Sequence, residues 1–444
     1  MNITVVGVGF VGLVTSTYFA SKGHNVTCYD IDKEKIKLAQ SGKCHFFEDN
    51  LEYKMQNVLG KTLQFTHNSA NAFEISDIIF LCVGTPTNGG EIDLSALVSV
   101  SKEIGLSLIN SIDTKTIVIK STVVPGTASD IAATIEKYSK KVEGADFFIA
   151  SNPEFLREGT AVWDMFNPDR IIVGSNEKSV SDKILNLYPE DPNCKFSVSL
   201  TTAELAKYSS NVFFATLISF SNEIARLCEI TPDIDVGMIF EMLHSDRRLS
   251  VKSDNGPNKA GLCSYLWPGL GFGGSCFPKD LLALIAYSNK NLHDCNILHA
   301  VNDVNNLQTP HIIEGFLGKI KPSNVALFGL SFKPDTDDCR YSKSLEIIEI
   351  LAENKVGIIV FDPVVKSLSI SENITFAKDP MDAISQSDAI IIATSWKEFQ
   401  SEQFITLLSN SGKPVLDARL ILHEQRSKLR EKYFGPGLNN IILS

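Results

Sequence analysis

Short runs of apolar and β-branched residues alternate with longer helical patterns over the first two hundred residues, stop, and resume at residue 324. This interrupted alternation restricts the fold more than any other feature of the chain. The early runs are ITVVG (3–7), NVTCYD (25–30), DIIFLCVG (77–84), TIVIKST (116–122), DFFIAS (146–151) and RIIVG (170–174). Nearly continuous apolar strands with helices between them belong in a parallel sheet covered on both faces. The later runs, NVALFGLSF, VGIIVFDP, DAIIIATSW and KPVLDAR, repeat the pattern, with helices expected at 343–354, 380–387 and 398–410. Between the two parts there is no strand signal: residues 201–230 read as one long helix, and helical patterns return at 278–289 and 293–318. The predicted architecture is α/β, with two Rossmann-like doubly wound parallel-sheet domains (1–200 and 319–444) joined by a long central helical segment (201–318).

A chain of 444 residues is long enough for two or three such cores. Its net charge of −11 and scattered lysines and arginines disfavour nucleic-acid binding, so an anionic ligand would need local positive groups. No apolar run is long enough to span a bilayer, and MNITVVGVGF lacks the features of a secretory signal, so the expected location is cytoplasmic, away from membranes. The 9 cysteines are irregularly spaced without a CxxC pair, which argues for reduced thiols and against a zinc site. No metal is expected.

The two α/β parts resemble each other. Strand and glycine turn, strand ending in Asp, then Ser-Asp opening an apolar strand occur in ITVVGVGF…NVTCYDID…ISDIIFLCVG and again in VALFGLSF…VGIIVFDP…QSDAIIIATSW. This is either a true internal repeat or the similarity that any two βαβ units share. A ligand cleft between such domains is the default expectation.

GVGFVG (7–12) follows the first strand and opens a helical pattern at 11–22. Gly7 permits the tight turn, Gly9 lets the backbone approach a pyrophosphate, and Gly12 allows close packing of helix on strand. Asp30 ends the second strand at the distance expected of a carboxylate bound to the adenosine ribose. It favours NAD over NADP, whose 2′-phosphate it would repel, while Lys35 leaves NADP open. CVGTPT (82–87) and KSTVVPGT (120–127) end strands where loops lie over a dinucleotide, although the same residues also make neutral turns.

Three further segments carry chemistry. SNPEFLREG (151–159) places Glu154 and Glu158 four apart, on one face if the turn is helical; AELAKYSSN (203–211) does the same for Lys207 and Asn211; GFGGSCFPKD (271–280) supplies Cys276, Lys279 and Asp280. Taken singly, a glutamate pair, a helical lysine and a lone cysteine are ordinary surface or core residues. The glycines before Cys276 would bring backbone amides close to a ligand, and Lys279 would stabilise a thiolate below its usual pKa of about 8.5. A nicotinamide domain and a nucleophilic cysteine together point to aldehyde-level oxidation: thiol addition, hydride loss, thioester hydrolysis.

The segments GVGFVGL, VGTPT, KSTVVPGT, NPEFLREGTA with NPDRIIVG, AELAKYSSN, GFGGSCFPKD, FGLSFKPDTDDCRYS and DAR (417–419) resemble, in order and over nearly the whole chain, the UDP-glucose/GDP-mannose dehydrogenase family. The resemblance implies two-step oxidation of a nucleotide-sugar C6 alcohol to the uronate, with two NAD⁺ and a water, feeding polysaccharide synthesis. It implies Cys276 as nucleophile, Lys207 and Asp280 flanking the C6 oxygen, Asn211 at the oxyanion, Glu154 in acid/base work and Glu158 near the nicotinamide. NAD contacts would be Gly7, Val8, Gly9, Phe10, Val11, Gly12, Asp30, Lys35, Val83, Thr85, Thr122, Glu158, Lys279 and Arg340. Sugar-nucleotide contacts would be Phe155, Leu156, Arg157, Glu158, Lys207, Asn211, Phe272, Gly273, Phe332, Lys333 and Arg419, with Lys333 and Arg419 on the diphosphate.

The family also sends an arginine to the sugar from a second subunit, which implies a homodimer or higher homo-oligomer. Here that residue is Arg248, with Arg247 the alternative. The connector SVKSDNGPNKAGLCSY (250–265) is longer than the pattern and reads as a solvated loop. UDP-glucose is the favoured substrate. The rivals are UDP-N-acetylmannosamine, UDP-N-acetylglucosamine or GDP-mannose, and, from a different class, a nucleotide-binding regulator without chemistry.

Overall fold

The computed structural model describes residues 1–253, 256–368 and 374–441. It divides into two compact units, Met1–Ser210 with Leu282–Tyr287, and Asn211–Leu281 with Ser288–Ser444.

The first unit's main sheet has eight strands, β1 (Asn2–Val6), β2 (Asn25–Tyr29), β3 (Leu63–Thr66), β4 (Ile78–Leu81), β5 (Lys115–Ile119), β6 (Phe147–Ser151), β7 (Ile171–Gly174) and β8 (Lys195–Val198). They lie in the order β8-β7-β6-β5-β4-β1-β2-β3. The chain starts in the sheet interior and switches direction of growth at β1, which pairs in parallel with both β2 and β4. Period-2 alternation splits each apolar run between two cores: Ile78, Phe80 and Val118 join one, Ile79, Leu81, Ile117 and Ile119 the other. The sheet is not wholly parallel, because β7 meets β6 antiparallel at Gly174 and Ser151. The helix that precedes β7, Ala161–Phe166, buries Ala161, Val162 and Met165 in the core that holds Leu13, so this connection does not make the crossover a parallel neighbour needs.

The second unit's sheet is parallel throughout: β9 (Asn324–Phe328), β10 (Gly357–Phe361), β11 (Ile374–Phe376), β12 (Ala389–Ile392), β13 (Val415–Asp417) and β14 (Tyr433–Phe434), in the order β11-β10-β9-β12-β13-β14. β3, β11 and β14 give no alternation long enough to read from sequence; they are short edge strands that exist because a neighbour offers a ladder.

The internal repeat is structural. Gly7 N donates to Tyr29 O at 2.8 Å and Gly329 N to Phe361 O at 2.9 Å, with both glycines at positive φ (104° and 92°). Asp30 Oδ2 accepts from Val8 N at 2.7 Å, and Asp362 Oδ2 accepts from Leu330 N at 2.8 Å. Asp77 and Asp388, which directly precede β4 and β12, accept from Asn2 N and Asn324 N, both at 2.9 Å.

The helices used below are α1 (Phe10–Ser21), α2 (Thr127–Ser139), α3 (Leu200–Glu229), α4 (Phe277–Lys290) and α5 (Asn296–Ile320). The stretch expected to lack strands does contain two: Ser250–Ser253 pairs antiparallel with Gly256–Lys259, so part of the supposed solvated loop is a hairpin. Among the described residues no helix is long and apolar enough to cross a membrane.

Candidate active site

The glycine turn has the shape the sequence predicts. A Cβ on Gly7 would lie 2.6 Å from Cys82 O, and one on Gly12 would strike the Gly7 carbonyl, whereas the Cβ position of Gly9 faces open space. Open space over Gly9 with crowding at its two neighbours is a cradle that a pyrophosphate backbone fits. Asp30 is half-buried and spans Val8 N and, at 2.8 Å, Asp32 N, which fixes its carboxylate beside the turn. Its counterpart Asp362 is 2 % exposed and also accepts from Val364 N, Val365 N and Trp396 Nε1. Asp362 thus accepts more N–H bonds than Asp30 does. Lys35 is half-buried and its Nζ lies 3.9 Å from Asp32. The loops bearing Val83, Thr85 and Thr122 are tied together, since Thr85 Oγ1 donates to Thr122 O at 2.8 Å and Ser121 Oγ to Val83 O at 2.6 Å.

In the same unit, Glu154 and Lys207 form a buried ion pair of 3.0 Å, and Glu154 Oε2 accepts from Leu156 N at 2.6 Å. Residues 152–157 have no regular secondary structure, so Glu154 and Glu158 do not share a helix face; Pro153 is incompatible with continuing a helical turn there. Lys207 lies 5.6 Å from the Phe155 ring centroid. Arg157 is engaged by Asp164 through two side-chain bonds of 3.1 and 2.5 Å. Leu156 packs beside the core that holds Val8 and Leu13.

The unit boundary falls inside α3, between Ser210 and Asn211, so the remaining catalytic candidates belong to the second unit. Asn211 Nδ2 donates to Asp280 Oδ2 at 2.5 Å, and both residues are buried. Cys276 is half-buried and directly precedes α4; its carbonyl accepts from Asp280 N at 2.8 Å, which makes it the residue that starts the helix. Lys279, expected to support a thiolate, donates instead to Asp280. The glycines are explained differently from the sequence expectation. A Cβ on Gly271 would strike Asn305, one on Gly273 would strike Tyr341 O, and one on Gly274 would lie 2.6 Å from the Phe332 ring, so they serve close packing within the unit. Asn305, Gln308 and Thr309, on one face of α5, hold this loop by bonds to Phe272 N (2.7 Å), Gly269 O (2.9 Å) and Leu270 O (3.1 Å).

Arg419 donates to Ala393 O at 2.7 Å and Gly271 O at 3.1 Å, and burial lowers its guanidinium to about 10, as befits a cation among carbonyls that an anion would complete. Lys333 sits over Phe332, 5.7 Å from the ring centroid. Arg340 and Arg248, expected to reach NAD and a partner's sugar, are exposed and clamp Asp338 and Asp246.

Three contributors escaped the sequence reading. Lys120, buried at the end of β5, donates to Asn152 Oδ1 at 3.2 Å, and Tyr188 OH donates to the same oxygen at 2.7 Å. Glu204, one turn before Lys207, accepts from Gly126 N and Ala128 N, both at 2.7 Å, and so fastens α3 to the start of α2. A lysine closing an apolar run was the only signal for the first of these.

The sequence and the folded chain both have known relatives. Residues 1–190, 201–307 and 326–424 match the NAD binding, central and UDP binding domains of the UDP-glucose/GDP-mannose dehydrogenase family. The chain is 37% identical to the UDP-glucose 6-dehydrogenase of Rickettsia conorii, with 98% of this chain and 99% of that protein covered. It is 35% identical to the UDP-glucose 6-dehydrogenase TuaD of Bacillus subtilis over 94% and 88%. Its fold matches that of a UDP-glucose dehydrogenase from Pyrobaculum islandicum with a TM-score of 0.87, 32% identity and 98% of both chains covered. A UDP-D-ManNAc dehydrogenase from Pyrococcus horikoshii superimposes with a TM-score of 0.84 at 26% identity, over 99% of this chain and 100% of that one. On three successive domain matches and relatives similar from end to end, the chain belongs to the UDP-glucose/GDP-mannose dehydrogenase family.

Proposed function

We propose that the protein oxidises UDP-glucose to UDP-glucuronate by way of Cys276, using NAD⁺ twice. The observation that carries this is the placement of Cys276 at the start of α4, one turn before an Asp280 held by Asn211. A helix N-terminus favours negative charge, which suits a thiol that must act as thiolate. NAD⁺, when bound, accepts the hydride removed in each oxidation. The turn of Gly7–Gly12 would bind its pyrophosphate and Asp30 its ribose.

In the first oxidation the Glu154 carboxylate takes up the C6 hydroxyl proton while the Lys207 ammonium polarises the C6 oxygen. The sulfur of Cys276 then bonds to the aldehyde carbon, with the oxygen held by Lys207 and Asn211. Loss of the second hydride leaves a thioester, and a water oriented by Asp280 cleaves the C–S bond, releasing carboxylate and restoring the thiol. Arg419 and Lys333 are assigned to the diphosphate, with Phe155, Leu156, Phe272, Gly273 and Phe332 lining the nucleotide sugar. The fold match to a UDP-D-ManNAc dehydrogenase supports the rival substrate.

NADH production with UDP-glucose, UDP-N-acetylmannosamine and GDP-mannose decides between them. Two NADH per UDP-glucose is expected; one per sugar removes the double oxidation, and turnover of another sugar alone removes the substrate. Cys276→Ser should abolish net uronate formation while leaving UDP-glucose binding within about threefold by calorimetry.

A homodimer is the assembly we propose. Phe213, Phe220 and Leu227 are about half exposed and seven residues apart along α3, a stripe suited to packing against a second copy of itself. The expected location is the cytoplasm, where NAD⁺ and nucleotide sugars are both available.

A further inference from the structure

Lys120 is the one member of the first unit's buried network whose charge the mechanism above leaves unused. It is 3 % exposed, and besides Asn152 Oδ1 its Nζ reaches Asn152 O and Tyr188 OH, each at 3.5 Å. Those are neutral acceptors. Asn152 does not need it, because Tyr188 OH and, through Asn152 Nδ2, Ile172 O at 2.9 Å already hold the amide. The titratable and charged groups facing Lys120 are Cys82 from the end of β4, Tyr188, Glu154 and Lys207. Burial lowers the Lys120 ammonium to about 8 and raises the Cys82 thiol to about 12.

A charge buried against neutral partners costs stability, and a methionine of similar length would fill the space without that cost. Unfavourable charges of this kind concentrate where chemistry needs them. Two residues beyond Asn152 is Glu154, the partner of Lys207. We propose that Lys120 is a positioning residue of the oxidation: its ammonium holds the end of β6 and draws the Glu154 carboxylate inward to its pair with Lys207. The inference rests on the function proposed above.

The test compares Lys120→Met and Lys120→Arg with the wild type in the full-length protein, following melting temperature, NAD⁺ binding and steady-state oxidation of UDP-glucose. Lys120→Met should melt at or above the wild-type temperature and bind NAD⁺ within about twofold, yet lose about tenfold or more in kcat with KM little changed. Lys120→Arg, charged at every accessible pH, should recover much of that rate and move the alkaline fall of the rate, expected near pH 8 in the wild type, to higher pH.

A Lys120→Met protein with kcat within about twofold of wild type overturns the proposal. So does one whose activity falls only in step with its melting temperature, since that marks a structural prop. If Lys120→Met fails to accumulate folded, an alkaline limb unchanged in Lys120→Arg overturns it, and a raised limb supports it. A wild type inactive on UDP-glucose refutes the assigned function instead, a failure distinct from any of these.

Discussion

Lys120 and Asp362 are both charged, both buried at the ends of sheet strands, and opposite in consequence. Asp362 is met by backbone and indole N–H groups on every side, so its charge is satisfied locally. Lys120 meets neutral acceptors, and burial lowers it from 10.5 to about 8. Between those two values the unfolded chain binds more protons than the folded one, so stability rises with pH across that window. Below it the charged lysine costs about 3 kcal/mol. The melting-temperature advantage expected of Lys120→Met at pH 7 should therefore shrink steadily as pH is raised towards 10, which calorimetric melts at a series of pH values would check. A constant advantage would mean that the lysine is not the titrating group. At the glycine turn, Gly12→Ala puts a methyl into the Gly7 carbonyl. The expected result is a loss of about 1–3 kcal/mol in chemical denaturation, with NAD⁺ affinity reduced further than UDP-glucose affinity.

At the level of elements, Cys276 is positioned by α5 more than by its own glycines. Asn305 bonds both Phe272 N and, at 3.1 Å, Phe272 O, and Lys343 Nζ in turn donates to Asn305 O at 3.2 Å. Asn305→Ala would leave two buried backbone groups unsatisfied, at a cost of about 2–3 kcal/mol. It should lower kcat while sparing NAD⁺ binding, measured by thermal melts and steady-state rates; unaffected kcat would show that the loop does not need this anchor. The repeat makes the same point about elements. Gly7 and Gly329 begin equivalent turns, but only the first is followed by Gly9 and Gly12, and only its aspartate stays half-buried. One scaffold, used twice, is a dinucleotide turn once.

For the whole molecule, the exposed α3 stripe carries the assembly prediction. Phe220→Glu in the full chain should shift the sedimentation coefficient from dimer towards monomer, because a buried unpaired charge at a helix-helix contact is costly. A dimer that persists would move the contact elsewhere.

The linear pattern is enough for the strand and helix alternation, the long α3 and the glycine turn, and it picks out Glu154, Lys207, Asn211, Cys276 and Asp280 as candidates through the motifs that carry the family resemblance. Each of these follows from local periodicity, from a glycine with no sterically allowed substitute, or from motifs contiguous in the chain. The folded chain settled the reversal of β7, the short edge strands, the pairing of Ser250–Ser253 with Gly256–Lys259 and the partners of the charged residues. Lys279 turned to Asp280, Arg157 to Asp164 and Arg340 to Asp338, carboxylates close by along the chain, because backbone and rotamer geometry decide which near charges pair, and no linear pattern encodes that geometry. The same holds for Lys120. In sequence it is a cation ending a strand, and only burial beside Asn152, Tyr188 and Glu154 gives its charge a consequence.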